Sequence, residues 1–139
     1  MKIELKRLDD AFHFEGVDED GHSIQMDAAE AIGGGNKGVR PMQTLLMGLG
    51  GCSAIDIVMI LQKQRQVVED FTITINGDRE QGKEPSLWSA IEVVFKLKGT
   101  IDVAKAERAV SLSMDKYCSV SKTLEMAGAK ITYKVVVNE

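Results

Sequence analysis

The sequence predicts an α+β fold in which antiparallel sheets surround one long central helix. Short runs of alternating apolar and polar residues open the chain, and similar runs recur after residue 70. Between them lies an almost continuously apolar stretch that is long enough for several helical turns. The resulting element order is βββ-α-ββ-αα-β, which is typical of α+β proteins. A length of 139 residues fits a single domain over residues 1–139.

The first three strands are predicted within residues 2–28. Apolar residues alternate with polar ones there, as in half-buried strands. Asp9-Asp10 and Asp20-Gly21 separate the runs, and Asp-Gly is a frequent hairpin turn. We therefore expect a three-stranded antiparallel meander. Because the opening MKIELKRL alternates and has no continuous apolar block, it does not resemble a secretion signal, and we expect a cytoplasmic protein.

A glycine-rich segment, GGGNKG, follows within residues 28–39. Gly33, Gly35 and Gly38 have the spacing of a dinucleotide-binding fingerprint, but no buried strand precedes them and no suitable acid follows. The segment also differs from a phosphate-binding P-loop, since Val39-Arg40 stands where Lys-Ser/Thr is required. We expect a mobile connection here and no nucleotide site.

The stretch from Pro41 to Arg65 is predicted to be the long helix. Proline is favoured at a first helical position. Between Leu45 and Leu61 the only clearly polar residues are Ser53 and Asp56. The run is a poor bilayer span, because it is short, contains three glycines and an acid, and lacks basic and aromatic flanks. We expect a helix buried on most sides, with a sheet on one side and a partner subunit on the other.

Three glycines cluster beside Cys52 in this helix. Gly48, Gly50 and Gly51 each weaken a helix by about 1 kcal/mol relative to alanine. A missing side chain allows close approach of another backbone or of a ligand. The glycine cluster therefore has two explanations, tight packing of the helix or free space around a reactive thiol.

The sequence of the second half of the chain predicts three strands and two short helices. Asn76-Gly77 is expected to open a polar loop that reaches Pro85. Asp102 can cap a helix that presents one apolar face, and Gly128 can end the helix after it. The strand-forming residues are Phe71, Ile73 and Ile75, then Ile91, Val93, Phe95 and Leu97 in an antiparallel neighbour, and last Ile131, Tyr133, Val135 and Val137.

Several classes of function are disfavoured by composition. The net charge is −4 and the basic residues are scattered, so we expect no nucleic-acid partner. His13 and His22 could join the two cysteines in a zinc site, but no pair has the usual ligand spacing. We therefore predict no metal and no cofactor.

The two cysteines, Cys52 and Cys118, are the main candidates for chemistry. Cys118 is predicted at the start of a short helix, with Lys116 and Lys122 nearby, and both features lower the pKa of a thiol. Cys118 is therefore expected to be the more acidic thiol, because Cys52 is in mid-helix. Two inert buried cysteines are the alternative.

Two segments resemble the OsmC/Ohr family of osmotically inducible and organic hydroperoxide resistance proteins. They are RPMQTLLMGLGGC, which ends at Cys52, and CSVSKTL, which starts at Cys118. The resemblance covers nearly the whole chain and implies the OsmC-like fold as an intertwined homodimer with two sites at the interface. It implies a hydroperoxide reductase in which Cys52 is peroxidatic and Cys118 is resolving. A dithiol reductant, dihydrolipoyl in part of the family, would restore the thiols.

The chain departs from the peroxidase pattern at two positions. Met42 stands where peroxidase members have a carboxylate after the proline, and residues 16–21 lack the arginine expected near the first hairpin. Arg40 is the nearest arginine that could support the Cys52 thiolate, and slower turnover is expected. A dimeric module that binds a small apolar ligand without catalysis, or a redox sensor, is the alternative function.

Overall fold

The computed structural model describes residues 1–139. The chain divides into two compact units, Met1–Leu45 and Leu46–Glu139. The predicted order βββ-α-ββ-αα-β is confirmed, with a 3₁₀ turn at Glu30–Ile32 and a π-helical turn at Ser113–Tyr117 added to it. The strands and helices are β1 (Glu4–Arg7), β2 (Phe14–Val17), β3 (Ser23–Met26), α1 (Pro41–Lys63), β4 (Val67–Arg79), β5 (Trp88–Thr100), α2 (Val103–Leu112), α3 (Ser119–Met126) and β6 (Lys130–Val137).

The first unit contains the predicted antiparallel meander. β2 pairs with β1 on one side and with β3 on the other, both antiparallel. The glycine-rich segment after β3 is built around Asp27, which is 2% exposed. The Asp27 carboxylate accepts backbone N–H groups of Ala28, Gly35 and Lys37 at 2.7, 3.1 and 3.0 Å. These bonds, that of Lys37 first, hold the pKa of Asp27 below its usual value although burial raises it.

Close backbone approaches explain two glycines of this segment. A Cβ atom on Gly34 would lie 2.0 Å from the carbonyl oxygen of Ala28, and one on Gly38 would lie 2.6 Å from the carbonyl carbon of Gln25. No other residue type fits there without backbone movement. The expectation of a mobile connection did not anticipate this hydrogen-bonded loop.

The second unit contains a three-stranded sheet of mixed direction. β4 and β5 are antiparallel, from Val67 opposite Thr100 to Arg79 opposite Trp88. β6 runs parallel to β5, which corrects the prediction of purely antiparallel sheets. A parallel pair needs a long crossover connection, and α2 and α3 provide it between these two strands.

The predicted loop at Asn76-Gly77 is wrong, because β4 continues through both residues to Arg79. Asn76 and Gly77 pair with Glu92 and Ile91 of β5. A Cβ atom on Gly77 would lie 2.9 Å from the Trp88 ring, so this glycine leaves room for the indole rather than forming a turn.

The core of the second unit lies between the sheet and the helices. Ile91, Val93, Phe95 and Leu97 of β5 are each at most 1% exposed, as their alternation predicts. Buried residues of the helices join them in one cluster, among them Leu49, Ile57 and Leu61 of α1 and Ala106, Ala109 and Val110 of α2. Asp102 caps α2 as predicted, since its carboxylate accepts the Lys105 N–H at 3.0 Å.

α1 begins at Pro41 as predicted and ends at Lys63, two residues before the predicted end. By length and composition it could cross a membrane, a test that the core helix of a soluble protein also passes. In the single chain one side of α1 is buried and the opposite side, where the prediction places a partner subunit, is open. We call this open side the apolar face of α1; it is formed by Leu45, Gly48, Gly51, Ile55 and Met59. The side chains of Leu45, Ile55 and Met59 are 42%, 68% and 45% exposed.

Candidate active site

Cys52 lies in the middle of α1, at the edge of the apolar face, and its side chain is half-buried. The neighbouring Ser53 points into the core, where its hydroxyl donates to the Leu49 carbonyl at 2.8 Å. The three glycines near Cys52 differ in their surroundings. A Cβ atom on Gly50 would lie 3.1 Å from Ile75, whereas one on Gly51 would meet nothing within 4 Å. Tight packing therefore explains Gly50, and open space surrounds Gly51.

Cys118 lies where the π-helical turn meets α3, and it is 3% exposed. It is the N-cap residue of α3, and its sulfur accepts the Ser121 N–H at 3.4 Å. Its own N–H donates to the carbonyl of Ser113 at 2.8 Å. Backbone hydrogen bonds on both sides thus fix the position of this thiol.

The fold brings the two cysteines close together as free thiols. The pKa of Cys118 is raised to about 11, mainly by burial and additionally by the nearby Cys52, while the Ser121 N–H opposes the shift. The prediction that the start of α3 makes Cys118 acidic is therefore wrong. The helix terminus does contribute, through the Ser121 N–H, but loss of hydration outweighs it.

This arrangement gives the two thiols different roles. Cys118 keeps its proton at neutral pH, because its pKa is raised to about 11. Cys52 is the more exposed of the two, so a small reactant reaches its sulfur first. The pair can form a disulfide if Cys52 is oxidised.

Arg40 belongs to the first unit, and its guanidinium is engaged there. It donates to the carbonyl oxygens of Gly38 and Asp27 at 3.0 and 3.4 Å and to the side-chain oxygen of Asn36 at 2.9 Å. These bonds connect Arg40 to the loop that Asp27 organises.

The two histidines are also in the first unit. His13 is hydrogen-bonded to the Gln25 side chain at 2.8 Å, and His22 to Asp18 at 3.0 Å. Asp18, Asp20 and His22 lie together on the exposed hairpin between β2 and β3. One oxygen of Asp18 already accepts the backbone N–H groups of Asp20 and His22, so this cluster is an Asx-type turn.

Sequence reasoning did not identify Ser113, which is fully buried at the start of the π-helical turn. Its hydroxyl donates to the carboxylate of Asp56 at 3.0 Å. Asp56 lies one helical turn after Cys52, and the backbone of Ser113 bonds to that of Cys118. The only sequence signal was a serine five residues before a cysteine, which is too common to carry information.

An open cavity of about 670 Å³ lies beside α1 in the second unit. Asp56, one turn after Cys52, and Tyr117, next to Cys118 in the sequence, both line it, while neither cysteine does. The side-chain oxygen of Gln64, another lining residue, is buried and has no hydrogen-bond partner. The remaining lining residues are Met59, Ile60, Lys63 and Leu112.

Comparisons with known proteins agree on one family. The family described as OsmC-like protein matches residues 34–134. Protein YhfA of Escherichia coli (strain K12) is 43% identical over 115 residues, which cover 82% of each chain. A crystal structure of a hypothetical protein from Aquifex aeolicus VF5 superposes with a TM-score of 0.80 at 33% identity and covers 99% of this chain and 97% of its own.

A more distant structure has the same fold. The organic hydroperoxide resistance protein OsmC from Legionella pneumophila gives a TM-score of 0.72 over 99% of this chain and 98% of its own. Its identity of 18% relates the two by fold alone. The family match over residues 34–134 and the identity to YhfA are sufficient, and this chain belongs to the OsmC-like protein family.

Proposed function

We propose that this protein is a thiol-dependent peroxidase that reduces organic hydroperoxides in the cytoplasm as part of stress defence. The observation that carries the proposal is the contact between a half-buried Cys52 and a buried, protonated Cys118. Membership of the OsmC family supports it. A cavity beside the helix that carries Cys52, lined mainly by apolar residues, supports an organic substrate rather than a small polar one.

The first chemical step oxidises Cys52. Its thiolate attacks the outer oxygen of the hydroperoxide, so an S–O bond forms and the O–O bond breaks. The peroxide gains two electrons and leaves as an alcohol after taking up a proton, while Cys52 becomes a sulfenic acid.

The second step closes the disulfide. The sulfur of Cys118 attacks that of Cys52, and the proton that Cys118 carried joins the departing hydroxyl to form water. Because its raised pKa keeps Cys118 protonated, the thiol must lose that proton as its sulfur attacks, and the departing hydroxyl takes it up. A dithiol reductant then restores both thiols by exchange and is itself left as a disulfide.

A turnover assay tests this function. Cumene hydroperoxide should be consumed with dihydrolipoamide as the reductant, and Cys52→Ser should abolish turnover because it removes the nucleophile. Cys118→Ser is the matched control, since it should still reduce one equivalent of peroxide per chain. Undiminished turnover in Cys52→Ser would overturn the proposal.

A homodimer forms part of the proposal. The apolar face of α1 is too extensive to remain in water on a stable monomer, since its Leu45, Ile55 and Met59 are all more than 40% exposed. Apolar residues of the first unit, Ile3, Leu5, Phe12 and Ile24, are also 41–59% exposed. A second copy of the chain is the proposed cover for these surfaces.

Arg40 is proposed as the cation that supports the Cys52 thiolate. We propose it because residues 16–21 lack the arginine found in peroxidase members. To reach the thiolate, the Arg40 guanidinium would have to give up its present hydrogen bonds to Gly38, Asp27 and Asn36. In a Cys118→Ser background, Arg40→Ala should reduce the thiolate absorbance at neutral pH. Unchanged absorbance would reject this role.

A non-catalytic ligand-binding module is the second candidate, favoured by the cavity and its unpaired Gln64 oxygen. Tight binding of an apolar fluorescent probe, together with no peroxide turnover in wild type, would favour it over the peroxidase.

A further inference from the structure

We propose that Asp56 and Ser113 are a positioning pair that holds Cys118 against Cys52 for disulfide closure. The inference rests on the proposed function, in which these two thiols pair. It assigns a role in placing Cys118 to two residues that take no part in the two chemical steps above.

The first part of the argument is the bond between α1 and the π-helical turn. The Ser113 hydroxyl donates to the Asp56 carboxylate at 3.0 Å, across 57 residues of sequence. Ser113 is 0% exposed, so water does not compete for its hydroxyl. A hydrogen bond to a carboxylate is stronger than one between neutral groups, which makes this a firm tertiary anchor.

Each partner of this bond is also linked to one of the thiols. Asp56 follows Cys52 by four residues on α1, so the two side chains lie one above the other on the helix. On the opposite side, the carbonyl of Ser113 accepts the N–H of Cys118 at 2.8 Å. A continuous path therefore runs from the helix that carries Cys52 to the backbone of Cys118.

The geometry of the intervening segment makes this anchor important. Residues Ser113–Tyr117 form a π-helical turn, which is rare and is found frequently at functional sites. A disulfide forms only when the two Cα atoms lie within about 7 Å, so a small shift of this turn separates the sulfurs. Ser113 is the first residue of the turn and Cys118 follows its last, so the anchor sets where the turn begins.

Redox equilibrium with glutathione measures the effect without peroxide. Glutathione disulfide takes two electrons and two protons from the Cys52 and Cys118 thiols, leaving two glutathione molecules and the protein disulfide. Ser113→Ala should lower the equilibrium constant for disulfide formation about tenfold, which corresponds to a reduction potential higher by about 30 mV.

Four further variants separate positioning from general damage. Asp56→Ala should match Ser113→Ala, and the double variant should show no further change, because both remove one bond. Asp56→Asn should restore a potential close to wild type, because it keeps an oxygen acceptor. Ser89→Ala is the matched control, since it removes a hydroxyl that donates to the Asp78 carbonyl at 3.0 Å between β4 and β5, outside the π-helical turn.

The outcomes are distinguishable. A wild-type disulfide together with a Ser113→Ala potential equal to that of Ser89→Ala would overturn the positioning role alone. Additive shifts in the double variant would overturn it as well. No disulfide in the wild type would overturn the pairing of the thiols, and both the proposed function and the positioning role with it.

Discussion

Replacing Ile55 by alanine should weaken the proposed homodimer strongly. Ile55 is 68% exposed in the single chain, at the centre of the apolar face of α1. Complete burial of an isoleucine side chain is worth about 1.5–3 kcal/mol, so covering the exposed part contributes about 1–2 kcal/mol. A two-fold interface buries Ile55 of both subunits, which gives about 2–4 kcal/mol and a dimer dissociation constant raised about 30- to 700-fold.

Sedimentation equilibrium across the micromolar range would measure this shift. Met126→Ala is the matched control, because Met126 is 79% exposed on α3 and lies outside the apolar face. The reasoning fails if the wild type is a stable monomer at these concentrations. It also fails if Ile55→Ala and Met126→Ala dissociate at the same concentration as the wild type.

Two further predictions concern stability. Phe95→Ala should lower the free energy of unfolding by about 3–5 kcal/mol, because Phe95 is fully buried in β5. Urea denaturation at constant protein concentration measures this loss, which would be smaller if the site collapsed around alanine. The Asp27 carboxyl has a pKa below its usual 3.8 in the folded chain, so its contribution to stability is fully present above pH 3.8 and is lost as pH falls through the lowered value. Asp27→Asn should remove this acid-dependent loss of stability from a curve of unfolding against pH. A curve identical to that of the wild type would contradict the stabilising role of the Asp27 carboxylate.

The parts of the fold that were predictable depend on local pattern. The alternation of Ile91, Val93, Phe95 and Leu97 predicted a strand with one buried face, and all four are buried in β5. The proline at the start of α1 and the Asp102 cap of α2 were predictable for the same reason, because a helix terminus requires particular residue types within a few positions.

The features that were missed depend on contacts between distant residues. Gly77 has the sequence of a turn, yet it lies in β4 because the Trp88 ring needs the space that its side chain would occupy. The direction of β6 depends on how the crossover helices return the chain, which no local pattern records.

In the candidate site, too, features set by local sequence were predictable and features set by distant contacts were not. Both cysteines were identifiable from the sequence, and their contact was expected from the family resemblance. The direction of the pKa shift of Cys118 was not, because the local helix start lowers it while burial by residues far away in sequence raises it more. The Asp56–Ser113 bond joins positions 57 residues apart and could not be anticipated either.

Identification of the oxidised species tests the central claim most directly. After one equivalent of cumene hydroperoxide, mass spectrometry of the wild type should find two thiols lost per chain and a disulfide between Cys52 and Cys118. In Cys118→Ser, a dimedone adduct should form on Cys52, because the sulfenic acid has no thiol to resolve it. Both thiols remaining reduced in excess peroxide, or a dimedone adduct on Cys118 in place of Cys52, would contradict the account.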